Sequence, residues 1–188
     1  MGLFGTAGVR GPVTATVTPE LAVRFGHAVA MELGGPETPV WVGRDGRSSS
    51  PALADAVTAG LLAGGVTVTG LGVVTTPLLA FAARDGVGVM VTASHNPPAD
   101  NGLKLFIDGR EADRSIEAAV AAAMAETPVP VRWERWGQAT ADTVRRSYLR
   151  AIDQYSREIG TDPEGLSVCL DAGTGTGAMT TAPALRAG

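Results

Sequence analysis

One stretch of the sequence decides the fold: VGVMV at 87–91, TASHNPPADNG at 92–102 and LKLFI at 103–107. The two apolar runs are short and flanked by turn residues, which predicts two buried strands. The polar segment between them sets the hydroxyl of Ser94, the imidazole of His95 and the amide of Asn96 side by side, ahead of a Pro-Pro turn. We therefore expect Ser94 to lie on a loop at the end of a core strand, where open α/β sheets usually bind their ligands.

Helix and strand signals alternate along the rest of the chain. Pro19, Pro51 and Pro77 each follow a hydroxyl residue, which predicts three helix starts. Apolar residues at four-residue spacing within 116–124 predict a fourth helix. Short strands are expected at 40–42 and 66–70. This β-α-β-α-β order predicts a layered α/β/α sandwich with a sheet covered on both faces.

Composition is that of a soluble globular protein, with 45% hydrophobic residues, 18% charged residues and a net charge of -4. This mild acidity gives no reason to expect nucleic acid or an anionic membrane as a partner. No apolar run is long enough to span a membrane, and the first residues lack the basic region and apolar core of a signal peptide. The single cysteine, Cys169, is predicted to be a small core residue in a reducing cytoplasm.

Three motifs together carry a resemblance to a known family. They are FGTAGVRG at 4–11, GRDGR at 43–47 with the serines that follow, and SHNP at 94–97 with NGLK at 101–104. In this order and at these separations they resemble the α-D-phosphohexomutases, which include phosphoglucomutase, phosphomannomutase and phosphoglucosamine mutase. The resemblance implies a mixed sheet in a first domain at 1–137 that carries the phosphoserine loop. Residues 138–188 would form a linking helix and the truncated start of a second α/β domain.

The resemblance also implies a reaction. Ser94 would donate a phosphoryl group to a hexose phosphate substrate, and the other phosphate of the hexose 1,6-bisphosphate intermediate would return to Ser94. Mg²⁺ would bind through the phosphoryl group of Ser94, whereas the family's Asp ligands belong to a second-domain loop that this sequence does not include. We therefore expect domains II to IV in the full-length protein, and negligible turnover from this chain alone.

Three side chains are the candidate catalytic partners of Ser94. Lys104 is the only lysine among the 15 Lys and Arg residues, and an ammonium can exchange a proton where a guanidinium cannot, so it is either a general acid or base or a surface lysine. Arg10 offers a planar fork suited to phosphate oxygens, or forms a surface salt bridge. His95 either orients the phosphoryl group and shuttles a proton, or only satisfies loop carbonyls.

Other residues are expected to support the loop. Asn96 is predicted to fix it by bonding its own backbone, and Asn101 and Gly102 to support it or to bind phosphate. Arg44, Asp45 and Arg47 either line the cleft with their charges or form a structural turn in which Asp45 pins Arg47. We favour a scaffold that supports the Ser94 loop.

The last third of the sequence is less regular. Val144, Tyr148, Ile152 and Tyr155 mark one apolar helix face, which should dock on the second domain or bridge the two domains and remain partly exposed. A strand is predicted at 166–171, before a glycine-rich turn at 173–177.

Three other functions remain open. One is a nucleotide-binding module built on the glycines at 173–177, and another is a non-catalytic interaction or regulatory fragment that keeps the first-domain fold. A serine hydrolase is the third, although adjacency of Ser94 and His95 does not aim the imidazole at the hydroxyl.

Overall fold

The computed structural model describes residues 5, 8–35, 37–160 and 165–187. Residues 4, 6 and 7 of the opening motif at 4–11 therefore lie outside the described residues. None of the helices in these ranges is both long enough and apolar enough to cross a membrane.

The centre of the fold is a seven-stranded sheet with the order β1-β5-β4-β2-β3-β7, and β6 pairs with β5. The pairs β4–β2, β2–β3 and β3–β7 are parallel. Strand β5 is antiparallel to its three partners, β1, β4 and β6. The mixed α/β fold expected from the resemblance is thus confirmed. The strands are β1 Val9–Pro12, β2 Val40–Arg44, β3 Val68–Val73, β4 Val87–Val91, β5 Asp100–Ile107, β6 Arg110–Glu111 and β7 Ala139–Ala141.

Helices cover both faces of this sheet. They are α1 Pro19–Leu33, α2 Ser50–Ala63, α3 Thr76–Ala82, α4 Arg114–Ala125, α5 Arg145–Glu158 and α6 Thr181–Ala187. The predicted starts are confirmed: the hydroxyls of Thr18 and Thr75 accept hydrogen bonds from the first turns of α1 and α3, and a proline occupies the first turn of each of the three helices. Such caps satisfy backbone N–H groups that a helix cannot satisfy internally.

Two apolar clusters hold the layers together. On one face of the sheet Phe25 of α1 and Leu61 of α2 pack with Leu105 of β5 and with α4. On the other face Leu79 of α3 packs with Met90 of β4 and Phe106 of β5. All five residues of β4 are buried. Because alternate side chains of a strand point to opposite faces, β4 and β5 serve both clusters and form the rigid centre of the sheet.

The connections place one crevice at the end of this centre. The chain leaves β2 through α2 and reaches β3 on one side, whereas it leaves β4 through the loop 92–99 and reaches β5 on the other side. Since β2 and β4 are adjacent and parallel, their outgoing connections diverge from the same edge. Such a switch point is where open α/β sheets bind ligands, and it is where Ser94 lies.

The last third of the chain departs from two of the predictions. Residues 166–171 form neither a strand nor a helix, so the predicted strand is wrong. A strand needs a hydrogen-bonding neighbour, and none of the described strands pairs with this segment. Cys169 is consequently exposed, not a core residue as predicted.

Helix α5 and strand β7 connect the last third to the sheet. Val144 and Tyr148 pack against the α3 cluster, whereas the Tyr155 side chain is 63% exposed, so the partly exposed face is confirmed. Strand β7 follows position 137 yet pairs with β3 in the same sheet. The division into 1–137 and 138–188 stays a prediction.

Candidate active site

Ser94 presents its hydroxyl from a strained backbone. Its φ is 59°, which lies in the left-handed region and costs a non-glycine residue about 1–2 kcal/mol. The Ser94 N–H donates to Oγ1 of Thr92 at 3.0 Å, while the Ser94 side chain is exposed. A strained residue persists only where its surroundings over-determine it, so the bonds around this loop decide whether Ser94 is held in place.

Asp45 is the centre of the polar network beneath the loop. Its Oδ1 accepts the Ser50 hydroxyl at 2.6 Å and the backbone N–H of Arg47 at 3.0 Å. Its Oδ2 accepts the Thr92 hydroxyl at 2.7 Å and Nε of Arg47 at 3.2 Å. The Asp45 and Arg47 side chains are each only 15% exposed. Four accepted bonds satisfy the carboxylate, and hydrogen bonds to a charged group are stronger than neutral ones.

Arg47 extends this network into the loop itself. Its guanidinium donates to four backbone carbonyl oxygens, those of Ser94 at 2.9 Å, Asn96 at 2.8 Å, Pro97 at 2.7 Å and Asp100 at 3.0 Å. The predicted scaffold of Asp45 and Arg47 under the Ser94 loop is therefore confirmed.

Asn101 and Asn96 brace the loop in different ways. Asn101 is fully buried, donates from Nδ2 to the hydroxyls of Ser49 and Ser50 at 2.8 and 2.9 Å, and accepts the N–H of Gly102. Nδ2 of Asn96 donates to the Asp100 carboxylate at 2.9 Å. The prediction that Asn96 bonds its own backbone is therefore wrong. Its side chain bonds the Asp100 side chain across the loop instead, because Asp100 lies within reach.

Gly102 and Arg10 meet at the base of the loop. They are directly paired between β5 and β1, and the N–H of Thr92 donates to the Gly102 carbonyl at 2.9 Å. A methyl group at Gly102 would lie 2.6 Å from the Thr92 carbonyl oxygen and 2.9 Å from Cγ of Arg10. Nε of Arg10 is buried and has no hydrogen-bond partner among the described residues. This orphaned cationic donor beside the loop fits a phosphate oxygen.

Lys104 lies further from the loop and already has a partner. It pairs with Met90 inside the sheet, and its Nζ forms an ion pair with Glu111 at 2.5 Å with the Lys104 side chain 13% exposed. Glu117 accepts the Gly8 N–H, while burial and then the Glu111 carboxylate raise the pKa of Glu117. Nζ of Lys104 thus already has a carboxylate partner, Glu111.

Sequence reasoning missed Glu111, although a signal for it was present. Asp108 and Gly109 have φ values of 48° and 75°, which are the two positive values that a tight hairpin turn needs, and Asp-Gly is a strong hairpin signal. That turn sets Glu111 opposite Phe106, and Phe106 shares its sheet face with Lys104. The missed turn therefore explains the missed ion pair.

His95 is exposed next to Ser94. Its Nδ1 lies 3.4 Å from Oγ of Ser94, so the imidazole approaches the hydroxyl, contrary to what their adjacency led us to expect. This distance is long for a hydrogen bond. No carboxylate among the described residues orients the ring, which a hydrolase triad requires.

A metal site and a nucleotide-binding turn are the two other kinds of site to consider. Among residues 5, 8–35, 37–160 and 165–187, no group of three or more His, Cys, Asp or Glu side chains is arranged to hold a metal ion. The glycines at 173–177 follow an irregular segment and lead into a short 3₁₀ turn, Thr176–Met179. The strand that a nucleotide-binding turn needs is missing there.

Known proteins are similar to this chain in sequence. Residues 1–129 match the family described as phosphoglucomutase/phosphomannomutase, alpha/beta/alpha domain I. The phosphoglucosamine mutase of Synechococcus elongatus is 38% identical over 184 residues, which cover 94% of this chain and 39% of that protein. The phosphopentomutase of Thermococcus kodakarensis is 37% identical over 193 residues, covering 99% of this chain and 41% of that protein.

A solved structure agrees with these relatives. The crystal structure of a putative phosphomannomutase from Thermus thermophilus has a TM-score of 0.70 and 32% identity, covering 81% of this chain and 35% of that one. The chain thus spans about two-fifths of the length of the curated relatives that it matches. On the match over residues 1–129, the chain belongs to the phosphoglucomutase/phosphomannomutase family of phosphohexomutases, with its described sheet in that family's first domain.

Proposed function

We propose that this chain supplies the phosphoserine of a phosphohexomutase, which interconverts hexose 1-phosphate and hexose 6-phosphate. Phosphorylated Ser94 transfers its phosphoryl group to a sugar hydroxyl: the bond from phosphorus to Oγ breaks, a bond to the sugar oxygen forms, and the hydroxyl proton leaves. The product is a hexose 1,6-bisphosphate, which also serves as activator. Its other phosphoryl group then returns to Oγ of Ser94, and a proton returns to the sugar oxygen.

The observation that carries this proposal is the position of Ser94. An exposed hydroxyl stands on a loop whose carbonyls are fixed by Arg47, at the diverging ends of β2 and β4. Phosphoryl transfer needs mainly positioning and charge neutralisation, and a braced loop with an unpartnered arginine nitrogen at its base offers both.

Three neighbours have proposed roles. Arg10 binds a phosphoryl oxygen through its free Nε, and His95, near Oγ of Ser94, orients the phosphoryl group or moves a proton. Lys104 acts as the general acid or base when its ion pair with Glu111 is broken. Before that, Glu111 positions the ammonium group. Asn96, Asn101 and Gly102 act through the loop and not on the substrate.

The described residues do not by themselves form a magnesium site, since no cluster of three ligands occurs among them. We therefore propose that Mg²⁺ serves only the complete protein, with oxygens of the phosphoryl group on Ser94 among its ligands and carboxylates outside the described residues. The ion would neutralise phosphoryl charge. By the same reasoning, the rest of the family's architecture, domains II to IV, supplies the sugar-binding part, and this chain alone has negligible mutase activity.

We also propose a cytoplasmic location. Cys169 is free and exposed, and an exposed thiol is best kept reduced in that compartment.

The test is a mutase assay on the whole product of the gene that encodes this chain. Glucose, mannose and glucosamine phosphates are supplied in turn with the matching bisphosphate and Mg²⁺. We expect turnover of at least one of them, and a loss of at least about a thousandfold in Ser94→Ala. Ser48→Ala is the matched control, because Ser48 is also an exposed serine near this edge of the sheet. If Ser94→Ala kept full activity, a phosphoserine at Ser94 would be excluded. If wild type turned over none of these sugar phosphates, the non-catalytic fragment would be the better account.

A further inference from the structure

We infer that Arg47 is a positioning residue for phosphoryl transfer, which fixes the conformation of the Ser94 loop without touching the phosphate. This inference rests on the proposed function of Ser94. It starts from one fact about the arginine side chain, which is that a guanidinium has five N–H donors in a fixed plane.

All five donors of Arg47 are used within the protein. Nε donates to the Asp45 carboxylate, and the four N–H groups of the two terminal nitrogens match the four loop carbonyls, those of Ser94, Asn96, Pro97 and Asp100. No donor is left over for a phosphoryl oxygen, and the Asp45 carboxylate balances the charge. Arg47 therefore differs from Arg10, whose Nε is buried without a partner.

The direction of the bonded carbonyls gives the clamp its effect. Carbonyl oxygens carry partial negative charge, so a loop that pointed them at the phosphoryl group would repel it. Arg47 instead turns the carbonyl of Ser94 toward itself at 2.9 Å. Since C=O and N–H of a trans peptide point in opposite directions, the N–H of His95 then points away from the guanidinium. That N–H has no partner among the described residues and is free to face a phosphoryl oxygen.

The clamp also joins two separate parts of the chain. Arg47 lies just after β2, and its acceptors lie between the end of β4, the adjacent parallel strand, and the first residue of β5. Asp45 reinforces the joint from below, because its Oδ2 accepts both Nε of Arg47 and the Thr92 hydroxyl. Thr92 in turn accepts the N–H of Ser94. The left-handed φ of Ser94 is thus held by hydrogen bonds to both of the peptide units that flank this residue.

The experiment compares Arg47→Ala, Arg47→Lys and Arg24→Ala in the whole gene product. Arg24 is the matched control because its guanidinium also donates to a backbone carbonyl, that of Met124 at the end of α4. A displaced reacting group can cost about a hundredfold in rate, so we expect kcat to fall by about that factor in Arg47→Ala while KM for the hexose phosphate stays unchanged. Arg24→Ala should keep the wild-type kcat.

Chemical rescue separates positioning from general damage. Added methylguanidinium should restore part of the kcat of Arg47→Ala. It should not restore Arg47→Lys, because the lysine chain fills the space while its compact ammonium cannot match four acceptors in a plane. A raised KM with an unchanged kcat would instead make Arg47 a phosphate ligand and overturn the inference. So would a loss of kcat in Arg47→Ala no larger than that in Arg24→Ala.

Hydrogen exchange keeps this test independent of the proposed function. The N–H groups of Ser94, Asn96 and Asp100 are all bonded within the loop, and in Arg47→Ala they should exchange faster than in wild type, while amides of β4 keep their protection. If wild type had no mutase activity, the proposed function would fail and the exchange measurement would still judge the clamp. Unchanged exchange in Arg47→Ala would overturn the clamp itself.

Discussion

The Ser94 loop and the region 142–187 are both at the surface, but they are held by different means. In the loop, Ser94 and His95 are exposed, yet the backbone around them is fixed by Arg47 and Asp45. In the region 142–187, apolar side chains are the exposed ones: Leu166 is 72% exposed and Val168 61%.

This difference shows that order at a surface does not require burial. The loop has little apolar surface, so its rigidity comes from polar groups supplied by a second motif, at the cost of ordering a long arginine side chain. In the region 142–187, Val144 and Tyr148 pack against the α3 cluster, but among the described residues no surface covers Leu166 and Val168. Four changes test this contrast, from the largest expected effect to the smallest.

Asp45→Ala should break the loop's network most severely. It removes the acceptor of four hydrogen bonds and leaves a partly buried guanidinium without its counter-charge, which costs about 4 kcal/mol in the free energy of unfolding. Urea unfolding followed by circular dichroism measures it. The control is Asp55→Ala on the exposed face of α2, which should change stability by less than about 0.5 kcal/mol. Equal losses in the two variants would mean that the network adds no stability.

Leu105→Ala and Leu166→Ala compare the same side chain in the two settings. Leu105 is 2% exposed within the core, so its truncation should cost about 3 kcal/mol through lost burial and a cavity. Leu166 should cost less than about 0.5 kcal/mol. The same urea unfolding measures both. A large loss in Leu166→Ala would show that region 142–187 is packed in solution.

Gly102→Ala tests the close approach at the base of the loop. The added methyl group would meet backbone oxygens of Thr92 and Val9 at 2.6 and 2.8 Å, and such overpacking costs about 2 kcal/mol. Gly46→Ala is the control, since a methyl group there has no atom within 4 Å. Thermal unfolding of the two variants should show a clear drop in Tm for Gly102→Ala alone. Similar Tm values would contradict the close packing of β1, β5 and the loop.

Tyr148 tests where the second region attaches to the first. Its ring packs edge-on against Phe81 of α3 with centroids 5.5 Å apart, and burial raises the pKa of Tyr148 above its usual value of 10.0. The folded protein then keeps a proton that the unfolded chain loses above pH 10, so stability should fall as pH rises from 10 toward the raised pKa. Tm measured between pH 9 and 11 should fall less steeply in Tyr148→Phe. Parallel pH profiles for the two proteins would argue against this attachment.

The sequence allowed much of the fold to be predicted because its signals are local. Proline after a hydroxyl residue correctly predicted the starts of α1, α2 and α3. A short apolar run correctly predicted the buried strand β4. The strand predicted at 166–171 has the right residues, but a strand depends on a neighbour that no local pattern guarantees. Strand β7 was not predicted, because Ala139–Ala141 is short and exposed and has no run of large apolar residues.

The residues of the site were predicted, but the hydrogen bonds and ion pairs between them were not. The types and order of Ser94, Asp45 and Arg47 indicated a phosphoryl loop with a scaffold. Which donor meets which acceptor depends on β2 and β4 being neighbours, and they are separated by more than forty residues in sequence. The ion pair of Lys104 with Glu111 likewise follows from a hairpin register and not from a motif.

The most direct test of the account is whether Ser94 carries a phosphoryl group. The whole gene product is incubated with hexose 1,6-bisphosphate and digested with trypsin, and the peptide 85–104 is fragmented in a mass spectrometer. Because Ser94 and Thr92 are its only hydroxyl side chains, fragment ions assign the site without ambiguity. We predict one phosphoryl group on Ser94, lost when hexose monophosphate is added and absent in Ser94→Ala. Interconversion of hexose phosphates without any phosphoryl group on Ser94 would contradict the account.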